Sequence, residues 1–223
     1  MKSIAALCML IDHIGLIFFP DDLRWRMIGR LAMPIFAYGV ARGAFYTKSL
    51  EEYMKKILLF SFISQIPFWG MDYWAHQEQF FVLKLNVGFT FFLALMSIYW
   101  MKKSQEEASN LKAMATSGIC ILLAQLLHCD YGGYGVWMVW IGYLAFLREK
   151  PLYDVAIGYI GLTFLTYGRQ ISLCLQQSIG VLGYGIIWIL GHKSEKRWGK
   201  FFYVFYPLHM LILCGIKWWL VYH

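Results

Sequence analysis

Residues 3–19 read SIAALCMLIDHIGLIFF, an apolar run in which Asp12 and His13 are the only strongly polar side chains. A run of this kind approaches the ~20 residues with which a helix spans the ~30 Å hydrocarbon core of a bilayer. Eight more follow, at 27–46, 53–69, 85–101, 111–127, 131–147, 152–167, 171–190 and 201–220. The weakest is 152–167, where Asp154, Gly158, Gly161 and Thr166 thin the hydrophobicity. Composition points the same way, because 60% of the 223 residues are hydrophobic, 19% aromatic and only 15% charged. A water-soluble domain of that length does not hide so much apolar surface. The fold class expected is all-α, a polytopic membrane helix bundle of about nine transmembrane helices. Short connections imply antiparallel neighbours in one domain over residues 1–223. The start lacks the pattern of a cleavable signal, so the first run is expected to stay in the protein.

Charge fixes the expected orientation. With the N-terminus in the cytoplasm, Lys2, Arg42, Lys48, Lys55, Lys56, Lys102, Lys103, Lys112, Arg148, Lys150, Lys193, Lys196, Arg197 and Lys200 fall inside. Only Arg24, Arg26, Lys84, Arg169 and Lys217 fall outside, and Arg30 lies within a span. That is the bias of the positive-inside rule, and it puts the C-terminus outside. The formal charge of +7 is therefore spread over several short inner segments rather than gathered into one basic face, which argues against nucleic acid. Five cysteines stand singly, without C-x-x-C or a histidine at ligand spacing, so neither disulfides nor a metal site is expected. The longest connection, 70–84, carries Trp74, Phe80 and Phe81 and reads as an interfacial element, either an aromatic anchor or a cover for a site mouth. The tryptophans near the predicted helix ends read as interface anchors.

Function has to be sought in the polar residues that lipid should exclude. A charged side chain near the bilayer centre costs at least ~2.5–3.5 kcal/mol and normally faces a protein-lined path or site. Counting ~1.5 Å per residue from Lys2 puts Asp12 and His13 about 15 Å deep, near the midplane. Adjacent residues on a helix point ~100° apart, so the two cannot bond to each other and each needs a partner from another helix. Arg30, entering from outside in the second run, is the partner expected for Asp12. His209, about eight residues into the last run, is expected at the depth of His13. Each also has a structural reading: an Asp–Arg pair can be interhelical glue, and a lone histidine a satisfied hydrogen bond. Gln65 before Pro67, Asn86, and His128 with Asp130 add polarity in the outer half, where caps and turns are the simpler explanation.

Six blocks carry a resemblance: MLIDHIG at 9–15, IGRLAMPIFAY at 28–38, SQIPF at 64–68, LNVGFTF at 85–91, DYGGYGV at 130–136 and FYPLHMLIL at 205–213. Together, in this order and over essentially the whole chain, they resemble the TraX family, named for the acetylase that modifies the N-terminus of conjugative F-type pilin. The family looks related to transmembrane acyltransferases, which take an acyl group from cytoplasmic acyl-CoA to an acceptor at the outer side. The resemblance points to Asp12 and His13, to Gly29 and Arg30 with Pro34, and to Tyr206 and His209. Two departures stand out: Gln65 occupies a position where a glutamate is expected, and nine spans are one fewer than the ten usual in related acyltransferases.

The resemblance and the lipid argument combine into one expectation: acyl transfer from acetyl-CoA to an amine or hydroxyl in a bacterial plasma membrane. His13 is the expected general base. Arg30 holds Asp12 or an anionic part of the acceptor, and His209 or Asn86 steadies the oxyanion, His209 being also the alternative base. Gln65 and Tyr206 are expected substrate contacts. Arg42 and Lys48 are the expected contacts for the coenzyme A phosphates. The acceptor is open between a pilin-like peptide amine, an envelope glycan and a secreted small molecule. The competing readings are a small transporter with Asp12, His13 and Arg30 as an ion relay, and an assembly factor without catalysis.

Overall fold

The computed structural model describes residues 2–76, 83–106, 110–190 and 199–223. Of the residues used above, Lys193, Lys196, Arg197, Phe80 and Phe81 lie outside the described residues, as do the side chains of Lys2 and Lys200. All regular structure among the described residues is helical: α1 (Lys2–Phe18), α2 (Leu23–Gly29), α3 (Ala32–Tyr46), α4 (Leu50–His76), α5 (Val87–Glu106), α6 (Asn110–Leu126), α7 (Gly132–Leu147), α8 (Leu152–Tyr167), α9 (Ile171–Ser178), α10 (Val181–Leu190) and α11 (Gly199–Tyr222). The isolated bridge between Leu85 and Cys129 is the sole strand-like pairing among them.

Seven of the nine apolar runs correspond to one helix each, and two are broken. The run 27–46 divides at residues 30 and 31 into α2 and α3. Pro34 is the local cause, since it has no N–H for the Arg30 carbonyl that would continue the helix. The segment 20–26, expected as a loop, is helical from Leu23 because Asp22 caps it. Its carboxylate accepts from the Arg24 backbone N–H at 3.1 Å and from the Arg24 guanidinium at 2.7 Å. Those Arg24 bonds hold the partly exposed Asp22 carboxyl down to about 2. The run 171–190 turns at Ile179 and Gly180 between α9 and α10. Within the expected 70–84 connection, α4 continues through His76.

By length and composition, two described stretches suffice to cross a membrane: Ile171–Leu190, counted across its turn, and Phe201–Tyr222. Ser3–Phe18, Met114–Leu126, Gly132–Leu147 and Leu152–Tyr167 are apolar but shorter. At about 1.5 Å per residue a 16-residue helix reaches only about 24 Å, which is why runs that looked like spans fall under the length of a full crossing.

Contacts group the chain into two compact units. One comprises Met1–Phe36, Ile63–Val82 and Thr163–His223, and the other Ala37–Phe62 and Leu83–Leu162. In the first, α1 and α2 lie so close that a Cβ on Gly15 would overlap Trp25, and one on Gly29 would overlap the Asp12 carboxylate. Gly183 of α10 likewise permits contact with the α2–α3 break, where its Cβ would stand 2.9 Å from the Leu31 carbonyl oxygen. In the second unit α5, α6 and α7 pack on one another. The Trp140 indole N–H donates to Ser97 Oγ at 2.6 Å, and the Thr90 hydroxyl donates to the Asp130 carbonyl.

Candidate functional site

The site forms in the first unit, where α1 supplies Asp12 and His13 on neighbouring faces. His13 meets His209 of α11, with His13 Nδ1 2.7 Å from His209 Nε2 and the rings within 6° of parallel. Both residues are buried. The Phe18 ring, five residues on, lies under Lys217 Nζ at 5.7 Å, so both contacts advance along α1 and α11 together and the helices run parallel.

His209 is fixed from its own helix. Its Nδ1 donates to the Phe205 carbonyl at 2.7 Å, and its ring stacks on Phe205 at 4.8 Å and 12°. Phe201 stacks behind Phe205 at 5.4 Å, which follows from the i, i+4 spacing of Phe201, Phe205 and His209 on one helix face. Tyr206 stands edge-on to His209 at 5.9 Å and is itself buried. Pro207 interrupts the backbone ladder of α11 two residues before His209.

Asp12 faces α2, where Arg26 Nη1 donates to its Oδ2 at 2.8 Å. The pair is largely enclosed, with side-chain exposures of 24% for Arg26 and 14% for Asp12. Arg26 is the partner that reading 20–26 as a loop had hidden, because a loop cation outside the lipid has no reason to reach Asp12. Once α2 is helical, Arg26 and Arg30 are i, i+4 and share a face. The signal was Asp22 ahead of Leu23, an N-cap residue directly before a helical run. Gly29 lets the carboxylate of Asp12 pack against the α2 backbone, where any side chain would displace it.

The other expected residues divide between the units. Gln65 is buried in the part of α4 that belongs to the first unit. Asn86 belongs to the second unit and is fully buried. Its Oδ1 accepts from the Gly88 N–H at 2.9 Å and its amide donates to the Ser61 carbonyl at 2.8 Å. That is a cap at the start of α5, with the other end of the amide bonded to the backbone of α4. Arg42 and Lys48, also in the second unit, are exposed, and the Arg42 guanidinium lies 6.0 Å from the Tyr46 ring centroid. A further buried acid went unread in the sequence: Asp72, whose Oδ1 lies 3.1 Å from Nδ1 of the half-exposed His76. Its signal was the D-x-x-x-H spacing, which puts both on one helix face. No group of three or more metal-ligating side chains occurs among the described residues.

Two buried histidines joined across helices, beside a shielded Asp–Arg pair, define an all-helical protein with an ionisable site inside an apolar frame. Residues 1–217 match the family model described as TraX protein, and the chain belongs to the TraX family. It is 29% identical over 239 residues to the "Probable fimbrial assembly protein FimC, serogroup H1" of Dichelobacter nodosus, covering 97% of this chain and 94% of that protein. It is 27% identical over 152 residues to the "Uncharacterized protein RP591" of Rickettsia prowazekii (strain Madrid E), covering 65% of this chain and 54% of that protein. No solved structure matches the chain.

Proposed function

We propose that this protein is a membrane-embedded acyltransferase that moves an acyl group, acetyl in the simplest case, from acetyl-CoA to an amine or hydroxyl acceptor beyond the lipid. The observation that carries the proposal is the His13–His209 contact, a buried imidazole oriented by a second one. Acyl transfer from a thioester needs a base for the nucleophile's proton and donors for the oxyanion that develops on the carbonyl. In this reading His13 is the base. Arg26 holds Asp12, while Arg30 on the same helical face is the cationic group for the oxyanion or for an anionic part of the acceptor.

Several features support the membrane setting, with about nine spans, the N-terminus in the cytoplasm of a bacterial cell and the chain a single functional domain. A core helix of a soluble protein can match a spanning helix in length and composition, but it is mostly buried. Here only 33% of the Ile171–Leu190 window and 28% of the Phe201–Tyr222 window are buried. Ile66, Leu165, Leu175 and Trp188 are each more than half exposed, as lipid-facing side chains are. The parallel run of α1 and α11 agrees with their places as first and ninth spans, both leaving the cytoplasm.

The family and the fimbrial-assembly name of the Dichelobacter relative favour the N-terminal amine of a pilin-like subunit as acceptor. The same name favours one second reading, an assembly factor without catalysis. Labelled acetyl-CoA offered to the purified protein in nanodiscs, with and without a pilin-like peptide, separates them. Release of free CoA with label on the peptide is the expected result. Absence of binding and turnover with acetyl-CoA and longer acyl-CoAs rejects the enzyme.

A further inference from the structure

We infer that His209 is a positioning residue, which fixes His13 as the Nδ1–H tautomer and so makes Nε2 of His13 the atom that takes the proton. A carbonyl oxygen only accepts, so the 2.7 Å contact with Phe205 requires the hydrogen on His209 Nδ1. In a neutral imidazole that leaves His209 Nε2 as acceptor, and the 2.7 Å contact with His13 Nδ1 then requires the hydrogen on His13 Nδ1. The remaining lone pair belongs to His13 Nε2. The opposite order would need an imidazolium at His209, a charge on a buried side chain. Stacking on Phe205 and the edge of Tyr206 hold the His209 ring in the orientation this chain of bonds needs.

Used on the acyl-transfer reading, on which only its kinetic consequence rests, the order gives a balanced step. The acceptor's N–H or O–H proton moves to His13 Nε2 as the acceptor's nitrogen or oxygen bonds to the thioester carbon. Collapse breaks the carbon–sulfur bond, and the same proton passes from Nε2 to the departing sulfur, returning His13 to its neutral form. His13 Nδ1–H stays on His209 Nε2 throughout, which is how a second group keeps a catalytic imidazole in the working tautomer and steadies its transient charge.

The test combines nitrogen NMR with kinetics on the full chain in lipid bilayers. In histidine-labelled wild type, the signals lost in His13→Gln are expected to show a protonated Nδ1 and an unprotonated Nε2. His209→Leu should shift His13 toward the Nε2–H form, and His209→Gln, whose amide oxygen can accept in place of Nε2, should restore it. With acetyl-CoA turnover, His209→Leu should lower kcat by about 10²- to 10⁴-fold with KM little changed. His209→Gln should recover most of that loss. An Nε2–H form of His13 in wild type overturns the inference, as does an unchanged His13 tautomer in folded His209→Leu. Loss in His209→Gln as deep as in His13→Gln overturns it too, by making His209 the base. If wild type turns nothing over yet shows the stated tautomers, the acyl-transfer reading falls and the positioning of His13 stands.

Discussion

Among the described residues the buried polar side chains of the first unit are His13, Ser64, Gln65, Asp72, Thr163, Gln177 and His209, whereas those of the second are Ser61, Asn86, Thr90, Ser97, Ser104 and Ser117. The buried histidines and the buried carboxylate among the described residues are in the first set, and the second holds hydroxyls and one amide. Their bonds differ as well. In the second unit they close on the backbone or on an indole: Asn86 on Ser61 and Gly88, Ser61 on the Ile57 carbonyl, Ser97 under Trp140. In the first, side chain meets side chain across helices, His13 with His209 and Asp12 with Arg26. The prolines follow the same division, since Pro34, Pro67 and Pro207 lie in the parts of α3, α4 and α11 that belong to the first unit, while α5, α6 and α7 contain no proline. Neutral groups satisfied by backbone make a scaffold. Ionisable groups held by one another inside an apolar frame are what a site requires, because buried charge without a partner is costly.

That contrast can be broken at several points. The largest stability effects should come from the glycines that let α2 lie on α1. Gly29→Ala and Gly15→Ala each force overlap with Asp12 or Trp25 and should cost about 1–3 kcal/mol or more. Gly39→Ala, with nothing within 4 Å of its Cβ, should be nearly neutral. Thermal unfolding in one detergent ranks all three, and equal losses would remove the close α1–α2 contact from the account. Next comes the ion pair. A double-mutant cycle of Asp12→Ala and Arg26→Ala should give a coupling of about 1–3 kcal/mol, below that of a fully enclosed pair because both groups keep some exposure. A coupling near zero would mean that Asp12 is held by other groups. In the second unit, Asn86→Ala should lower stability by about 1–2 kcal/mol through the lost cap. Smallest is Trp140→Phe, expected at about 1 kcal/mol for its bond to Ser97. Near-UV circular dichroism should report a local change there without loss of helix.

Much of this was legible in the sequence because apolar periodicity and depth along a helix are local quantities. The run 152–167 coincides with α8, and counting from Lys2 put His13 at a depth that His209 could share. The argument that Asp12 and His13 must look to different helices follows from the ~100° step alone, and their contacts with α2 and α11 obey it. What could not be read was where a helix breaks and what a break exposes. Reading 27–46 as continuous left Arg26 in a loop and gave Asp12 only Arg30 as candidate, whereas the Asp22 cap extends the helical face back to Arg26. The cap that Asn86 makes with Gly88 is local and legible, whereas its bond to the Ser61 carbonyl, twenty-five residues earlier in the chain, is not. The order of protons through Phe205, His209 and His13 depends on two distances that no spacing rule supplies.

The most direct test sets one residue of each unit side by side in nanodiscs with labelled acetyl-CoA and a pilin-like peptide. His13→Gln should lower turnover by about 10³-fold while its helix content and melting stay close to wild type. Trp140→Phe should lose stability but keep its turnover per folded molecule. A folded His13→Gln protein that transfers acetyl groups at the wild-type rate would contradict the assignment of the chemistry to the first unit.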